Sequence, residues 1–273
     1  MMNFDRIAPY FKRLEKIVDY IIAYHSHKTF NKNYSALFAI SSIDNVIKYY
    51  ELFKKKKEEG LHNLRIATIF TYGANEDDYD AQDYLPGDDL PMAAEPKANY
   101  VYSHTRDKLE EFIGDYNAMY NTRFSTKDAQ QFENYFKDIS KRLKEREKAT
   151  FNDKDRLDIV LVVNMMLTGF DAKKVNTLYV DKNLRQHGLI QAFSRTNRIL
   201  GEQKSQGNIL AFRNLKNVTD EAITLFSNKE ALETVLMPPY EAIAKKFDEA
   251  LTNLRAIAPT YKSVDDFPSE EED

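Results

Sequence analysis

The 273-residue chain has no cysteine, so disulfides and thiolate metal sites are excluded, as expected of a cytoplasmic protein. Its five histidines (His25, His27, His62, His104 and His187) form no ligand pattern beyond His25-Ser26-His27, which reads as the polar end of a helix. No run approaches the ~18 apolar residues of a membrane span. The opening MMNFDRIAPYFKR lacks the apolar core of a signal peptide, so no membrane partner is expected. None of the eight glycines is followed by lysine, so the chain has no G-x-x-x-x-G-K-[ST] loop to cradle phosphates. A G-x-G-x-x-G dinucleotide fingerprint is missing too, which argues against a small-molecule nucleotide enzyme. An excess of positive charge is also lacking. With 39 basic and 43 acidic residues the net charge is −4, which excludes a globally basic nucleic-acid binder but not a local basic groove.

What is present is enough apolar material, 42% of residues with 17 Tyr and 17 Phe, for one large domain with or without an appendage. Apolar runs alternate with amphipathic helices, which predicts an α/β fold with a mainly parallel sheet. Strands are expected at 36–40, 64–70, 157–163, 177–180 and 208–212. Helices are expected at about 7–27, 43–59, 105–121, 126–148, 214–228 and 240–257. The KRLKEREK segment closing the fourth of these reads as a solvated face. Residues 74–99 are acidic and aperiodic and hold three of the eight prolines, so a surface insertion is expected there. Its aspartates lack the EF-hand order, and no metal site is assigned. Met237-Pro238-Pro239 marks a boundary between a domain at 1–236 and a linker with a C-terminal helical extension at 237–273. The doubled Met and abrupt start suggest a piece of a longer chain.

One stretch departs from the mixed surface pattern. From Lys182 through Gly201 there is no acid, although about three are expected at the chain's average frequency. Within it Gln191, Arg195 and Arg198 stand at i, i+4 and i+7, within ~60° of one another on a continuous helix. Leu189, Ile190 and Phe193 would pack the other side. Such a helix presents either a solvated basic face or two unpaired guanidiniums to an anion. Thr168-Gly169-Phe170-Asp171 follows the strand at 157–163, where open α/β sheets bind ligands. Gly169 would let main chain approach a phosphate, and Asp171 could accept from a ribose hydroxyl or position an arginine. Ser41-Ser42 also follows a strand and opens a helix, as a phosphodiester contact or simply an N-cap.

Three look-alikes are read as chance. Asp220-Glu221-Ala222 sits in a helix rather than after a strand, and Asp181 lacks the companion Glu of a helicase Mg²⁺ box. Glu202-Gln203-Lys204 lacks the upstream Asp of a nuclease.

LTGFD followed by QAFSRTNRI resembles motifs V and VI of superfamily 2 helicases, in the wording of the motor (R) subunit of type I restriction enzymes. Ser194 stands where the wider superfamily has Gly. FAISSIDNVIKYYELFK resembles the motif IV region, and the likeness covers about residues 1–230. The resemblance implies a RecA-like three-layer domain, the second of two motor domains. It further implies that Arg195 and Arg198 reach an ATP bound with Mg²⁺ mainly by the first motor domain, one of them as an arginine finger. By the same resemblance Gln191 senses the nucleotide or its attacking water, and Gly169 and Asp171 line the cleft. Thr168, Ser41, Ser42 and Thr71 would touch the backbone of double-stranded DNA, while Lys182, Arg185 and His187 read either as further contacts or as solvated surface. The implied partners are the nuclease domain of the same subunit and the methyltransferase and specificity subunits. An alternative reading is a non-catalytic nucleic-acid or partner-binding module on a degenerate helicase fold.

Overall fold

The computed structural model describes residues 4–70, 98–198, 200, 204, 206–226 and 240–260. The chain forms two compact units, residues 1–222 and 223–273. The Met237-Pro238-Pro239 step lies outside the described residues, as does most of the acidic insertion.

The first unit is built on five parallel strands: β1 (Ser35–Ile40), β2 (Ile66–Ile69), β3 (Ile159–Val162), β4 (Val175–Asp181) and β5 (Asn208–Ala211). Their order across the sheet is β2-β3-β1-β4-β5. Every residue of β1 to β4 is buried. Because successive side chains point to opposite faces, both faces are covered, which is why these strands read as unbroken apolar runs. The covering helices are α1 (Phe4–Lys28), α2 (Ile43–Glu58), α3 (Ala98–Tyr120), α4 (Ala129–Glu145) and α5 (Gln186–Ser194), and α6 (Lys216–Phe226) runs across the boundary at residue 222. This is the RecA-like α/β arrangement that the resemblance implies.

The helices carry their apolar residues at helical spacing. Helix α1 buries Leu14, Ile17, Val18 and Ile21, and α2 buries Val46, Ile47, Tyr50 and Phe53. Helix α1 stops where Phe30, Asn31 and Lys32 turn left-handed (φ 50, 55 and 62°), and Asn176 and Asn208 donate to the Lys28 carbonyl at 2.9 and 3.0 Å. In the second unit, helix α7 (Tyr240–Ile257) has the bounds expected from its periodicity and exposes Phe247 and Leu254.

Two expectations are corrected. The KRLKEREK segment is not simply a solvated face. Arg142 pairs with Asp138 (2.8 Å) and Asp155 (2.9 Å) and lies 3.7 Å from the centre of the Tyr120 ring. Arg146 is buried and donates to Ser35 Oγ (2.6 Å), to the Leu157 carbonyl (2.8 Å) and to the Lys32 carbonyl. It ties the entry of β1 to that of β3. Its burial lowers the guanidinium to about 10, since no carboxylate is bonded to it.

His25, expected at a polar helix end, is fully buried, with Nδ1 3.3 Å from the Tyr179 hydroxyl. Burial, then the cationic Lys32, Arg146 and Arg156, push it down from 6.5 to about 4, against an opposing pull from Asp158. Above pH 6.5 the ring is neutral in both folded and unfolded chains and costs nothing. Between 6.5 and about 4 only the unfolded chain takes up the proton, so stability falls as pH falls. The loss amounts to about 3 kcal/mol. Urea midpoints across this window should show the slope in the wild type and a shallower one in His25→Leu. An unchanged slope would assign the acid sensitivity to other groups.

Candidate functional site

Parallel register brings the carboxyl ends of the strands together. Ile40 pairs with Asp181, Ala39 with Val162, and Val162 with Ile69, so the segments that follow these residues leave along one sheet edge. Ser42 is the N-cap of α2, its Oγ accepting from Asn45 N at 3.3 Å. Ser41 Oγ accepts from the Asn45 side chain at 2.9 Å. Both serines are part-exposed, and Thr71 lies outside the described residues.

After β3 the chain crosses without a helix to the start of β4. Met166 and Leu167 anchor this crossing in the core, while Thr168 and Gly169 are exposed. Gly169 has φ +65° with no atom within 4 Å of where a Cβ would stand, so glycine is needed there for the left-handed turn rather than for space.

Helix α5 is shorter than expected and ends at Ser194, so Arg195 is its C-cap and Arg198 lies beyond it. The i, i+4, i+7 face therefore does not extend to Arg198. Ser194 and Thr196 hydroxyls bond back to the Gln191 and Phe193 carbonyls at 2.7 and 3.1 Å. The amides of Arg195, Thr196 and Asn197 reach only three residues back, at 3.1 to 3.3 Å. Local hydroxyl bonding competes with the helix ladder and tightens the turn.

Both guanidiniums do have partners, contrary to the expectation of two unpaired cations. Arg195 donates to the Gln191 carbonyl (3.0 Å), to Ser194 Oγ (3.0 Å) and to the Phe170 carbonyl of the crossing. Arg198 Nε pairs with Asp171 at 3.1 Å. Gln191 Nε2 lies 2.5 Å from His187 Nε2. The unwound helix end thus ties Arg195 to Phe170 and Arg198 to Asp171, while the Gln191 side chain turns to His187.

That helix end is held from behind by close packing. A Cβ on Gly207 would stand 2.5 Å from the Thr196 carbonyl oxygen and 2.6 Å from Thr196 Cβ. Gly207→Ala should displace residues 195–198 and cost about 1–3 kcal/mol as an overpacked site. Thermal unfolding would measure the cost, and an unshifted midpoint would show that the turn can yield.

Lys182 and Lys204 are structural. Lys182 is buried rather than solvated, and its Nζ bonds to Asn164 Oδ1. Lys204 is buried too, donating to the Lys173 and Val175 carbonyls at 2.9 and 2.7 Å, with burial lowering it to about 8. Asp181 is fully buried between Arg13 (2.5 and 3.1 Å), Arg213 (3.0 Å) and the Tyr49 hydroxyl (2.7 Å). Burial alone would raise its carboxyl, but the two guanidiniums and Tyr49 hold it below the ordinary value of 3.8. This hub went unseen in the sequence because Arg13, Asp181 and Arg213 lie far apart along the chain. Asp220 pairs with Lys216 within α6 at 2.7 Å. Among the described residues no three His, Asp or Glu side chains gather as a metal site, and no helix is long and apolar enough to cross a membrane.

Comparison with known proteins shows the family. Residues 32–214 match the family described as type I restriction enzyme subunit R domain 3. The endonuclease subunit of a type I restriction enzyme from Staphylococcus aureus strain COL is 43% identical over 261 residues, covering 96% of this chain and 25% of that protein. A Staphylococcus saprophyticus endonuclease subunit is 40% identical over 271 residues, covering 99% and 26%. A putative Methanocaldococcus jannaschii endonuclease subunit is 26% identical over 244 residues, covering 87% and 21%. The chain spans about a quarter of the length of the first two of these curated relatives. It belongs to the family of type I restriction enzyme R subunits, and the part of that family it matches is domain 3.

Proposed function

We propose that this domain is the second motor domain of an R subunit, which completes an ATP site and grips double-stranded DNA during translocation before cleavage. The observation that carries this reading is that one crossing, Thr168 to Asp171, is bonded to both arginines. Two guanidiniums beside an open left-handed glycine suit a phosphate. ATP with Mg²⁺, held mainly by a first motor domain, supplies the phosphoryl group whose hydrolysis drives movement.

Arg198 and Arg195 divide the work. The Arg198–Asp171 pair is exposed, at 55% and 45% of the two side chains. Such a pair is worth only ~0–1 kcal/mol, so Arg198 can leave it for a phosphate at little cost. Arg195, with its three oxygen acceptors, fixes the helix end against the crossing. Gln191 orients the attacking water, and Gly169 and Asp171 line the cleft. Ser41, Ser42, Thr71 and Thr168 contact the DNA backbone. The nuclease domain of the same subunit cleaves, and the methyltransferase and specificity subunits complete the assembly. The test is ATP turnover by the intact R subunit, assembled with those partners, after replacement of Arg198 or Arg195. Normal turnover in both variants removes the assignment.

A further inference from the structure

Helix α4 carries a feature that the motor reading leaves unused. Lys137, Lys141 and Lys144 stand at i, i+4 and i+7, within ~60° of one another on its surface, and Lys148 follows just past the helix end. The core side of the helix is Tyr135, Ile139 and Leu143. All four lysines line an open groove of about 750 Å³ whose opposite wall is Met166, Thr168, Gly169 and Phe170. Lys144 Nζ lies 5.6 Å from the centre of the Phe170 ring, so the stripe adjoins the crossing that holds Arg195.

The groove's own acids are already engaged. Glu145 pairs with Lys148 at 2.6 Å and Glu147 with Lys173 at 3.1 Å. Lys137 is paired with Glu133 (2.7 Å) on its own helix, an exposed contact of little worth. Lys141 and Lys144 carry no ion pair among the described residues. The cations of the lining are all lysines, compact point charges without the planar fork that guanidinium offers. From Lys137 to Lys148 the stripe runs about 16 Å, which at 3.4 Å per phosphate along one strand of a duplex passes about five phosphates.

We infer that the lysine stripe of α4 and the facing Thr168 form a sequence-neutral track for one strand of the duplex backbone. The inference rests on the motor reading for its substrate, duplex DNA, and adds a surface that the motif residues do not include. Repeated point cations at helical spacing suit contacts to phosphates, which position a duplex without reading its sequence.

The test uses the intact R subunit assembled with its partner subunits on duplex DNA. The salt dependence of DNA affinity is measured for the wild type, Lys141→Ala/Lys144→Ala, Lys141→Arg/Lys144→Arg and, as a control on α1, Lys12→Ala/Lys16→Ala. The slope of log affinity against log salt should fall by about 1.8 in the alanine pair, because each phosphate left without its lysine removes ~0.9. It should be kept in the arginine pair and in the control. Translocation should shorten in the alanine pair while its thermal midpoint holds. An unchanged slope in the alanine pair, with wild-type binding and DNA-stimulated ATP turnover intact, overturns the track and leaves the motor reading standing. Failure of the alanine pair to assemble also overturns it, by making the stripe a protein contact. A wild-type assembly whose ATP turnover ignores DNA overturns the motor reading itself.

Discussion

Arg198→Ala in the intact R subunit is expected to lower ATP turnover by about 10³-fold or more while nucleotide affinity changes only a few-fold. An arginine finger acts on charge that develops as the phosphoryl group transfers, and its loss falls on turnover rather than on ground-state binding. Arg198 suits that role because its partner, Asp171, holds it by one exposed contact of 3.1 Å. Arg198→Lys should recover little, since a point ammonium lacks the planar fork of the guanidinium. Arg195→Ala should lose turnover by a different route. Removing it frees the Phe170 carbonyl and the helix end, so a lower thermal midpoint should accompany the lost activity. Steady-state ATPase with a separate nucleotide-binding titration separates the two. Equal losses of binding and turnover in Arg198→Ala would assign it to uniform binding instead.

Asp181→Ala is expected to be strongly destabilising. It removes the shared acceptor of Arg13, Arg213 and Tyr49 at a site with no solvent exposure. Breaking a buried ion pair by deleting one partner costs ~3–5 kcal/mol. The lower end applies, since the Arg13 and Arg213 side chains are 35% and 21% exposed and water can still reach them. Because the folded carboxyl titrates below its unfolded value of 3.8, the stabilisation is complete above that pH and is lost as pH falls below it. Asp181→Asn, which keeps an acceptor for one partner, should cost less. Urea unfolding at pH 7 measures both variants, and a loss under about 1 kcal/mol in the alanine variant would show the cations finding other acceptors.

Much of the frame was legible before the structure. Strands β1 and β3 stand out as short apolar runs because both of their faces are covered, and α7 because its periodicity is uninterrupted. Thr168-Gly169-Phe170-Asp171 and the two arginines were found from wording and spacing. The end of α5 was not. Periodicity counts residues, whereas the helix stops because Ser194 and Thr196 hydroxyls compete for the carbonyls the ladder would use. Burial of isolated polar groups was equally hidden. His25, Arg146 and Lys182 look like surface residues by type, and their partners Tyr179, Ser35 and Asn164 are brought beside them only by tertiary folding. The stripe on α4 lay in plain view at helical spacing. It acquired a meaning only when the Thr168 crossing proved to be its opposite wall.

The strand order has a consequence for how the chain assembles. Strand β1 is first in sequence yet central in the sheet, with Ala36 paired to Ile159 on one side and Thr177 on the other. A chain emerging from the ribosome must therefore carry an apolar β1 with neither neighbour available until β3 and β4 have been made. Such long-range parallel pairing is slow to nucleate and leaves strand edges open to other chains in the meantime. The nascent sheet is incomplete during that interval, and a stop anywhere before residue 175 leaves β1 without its β4 neighbour.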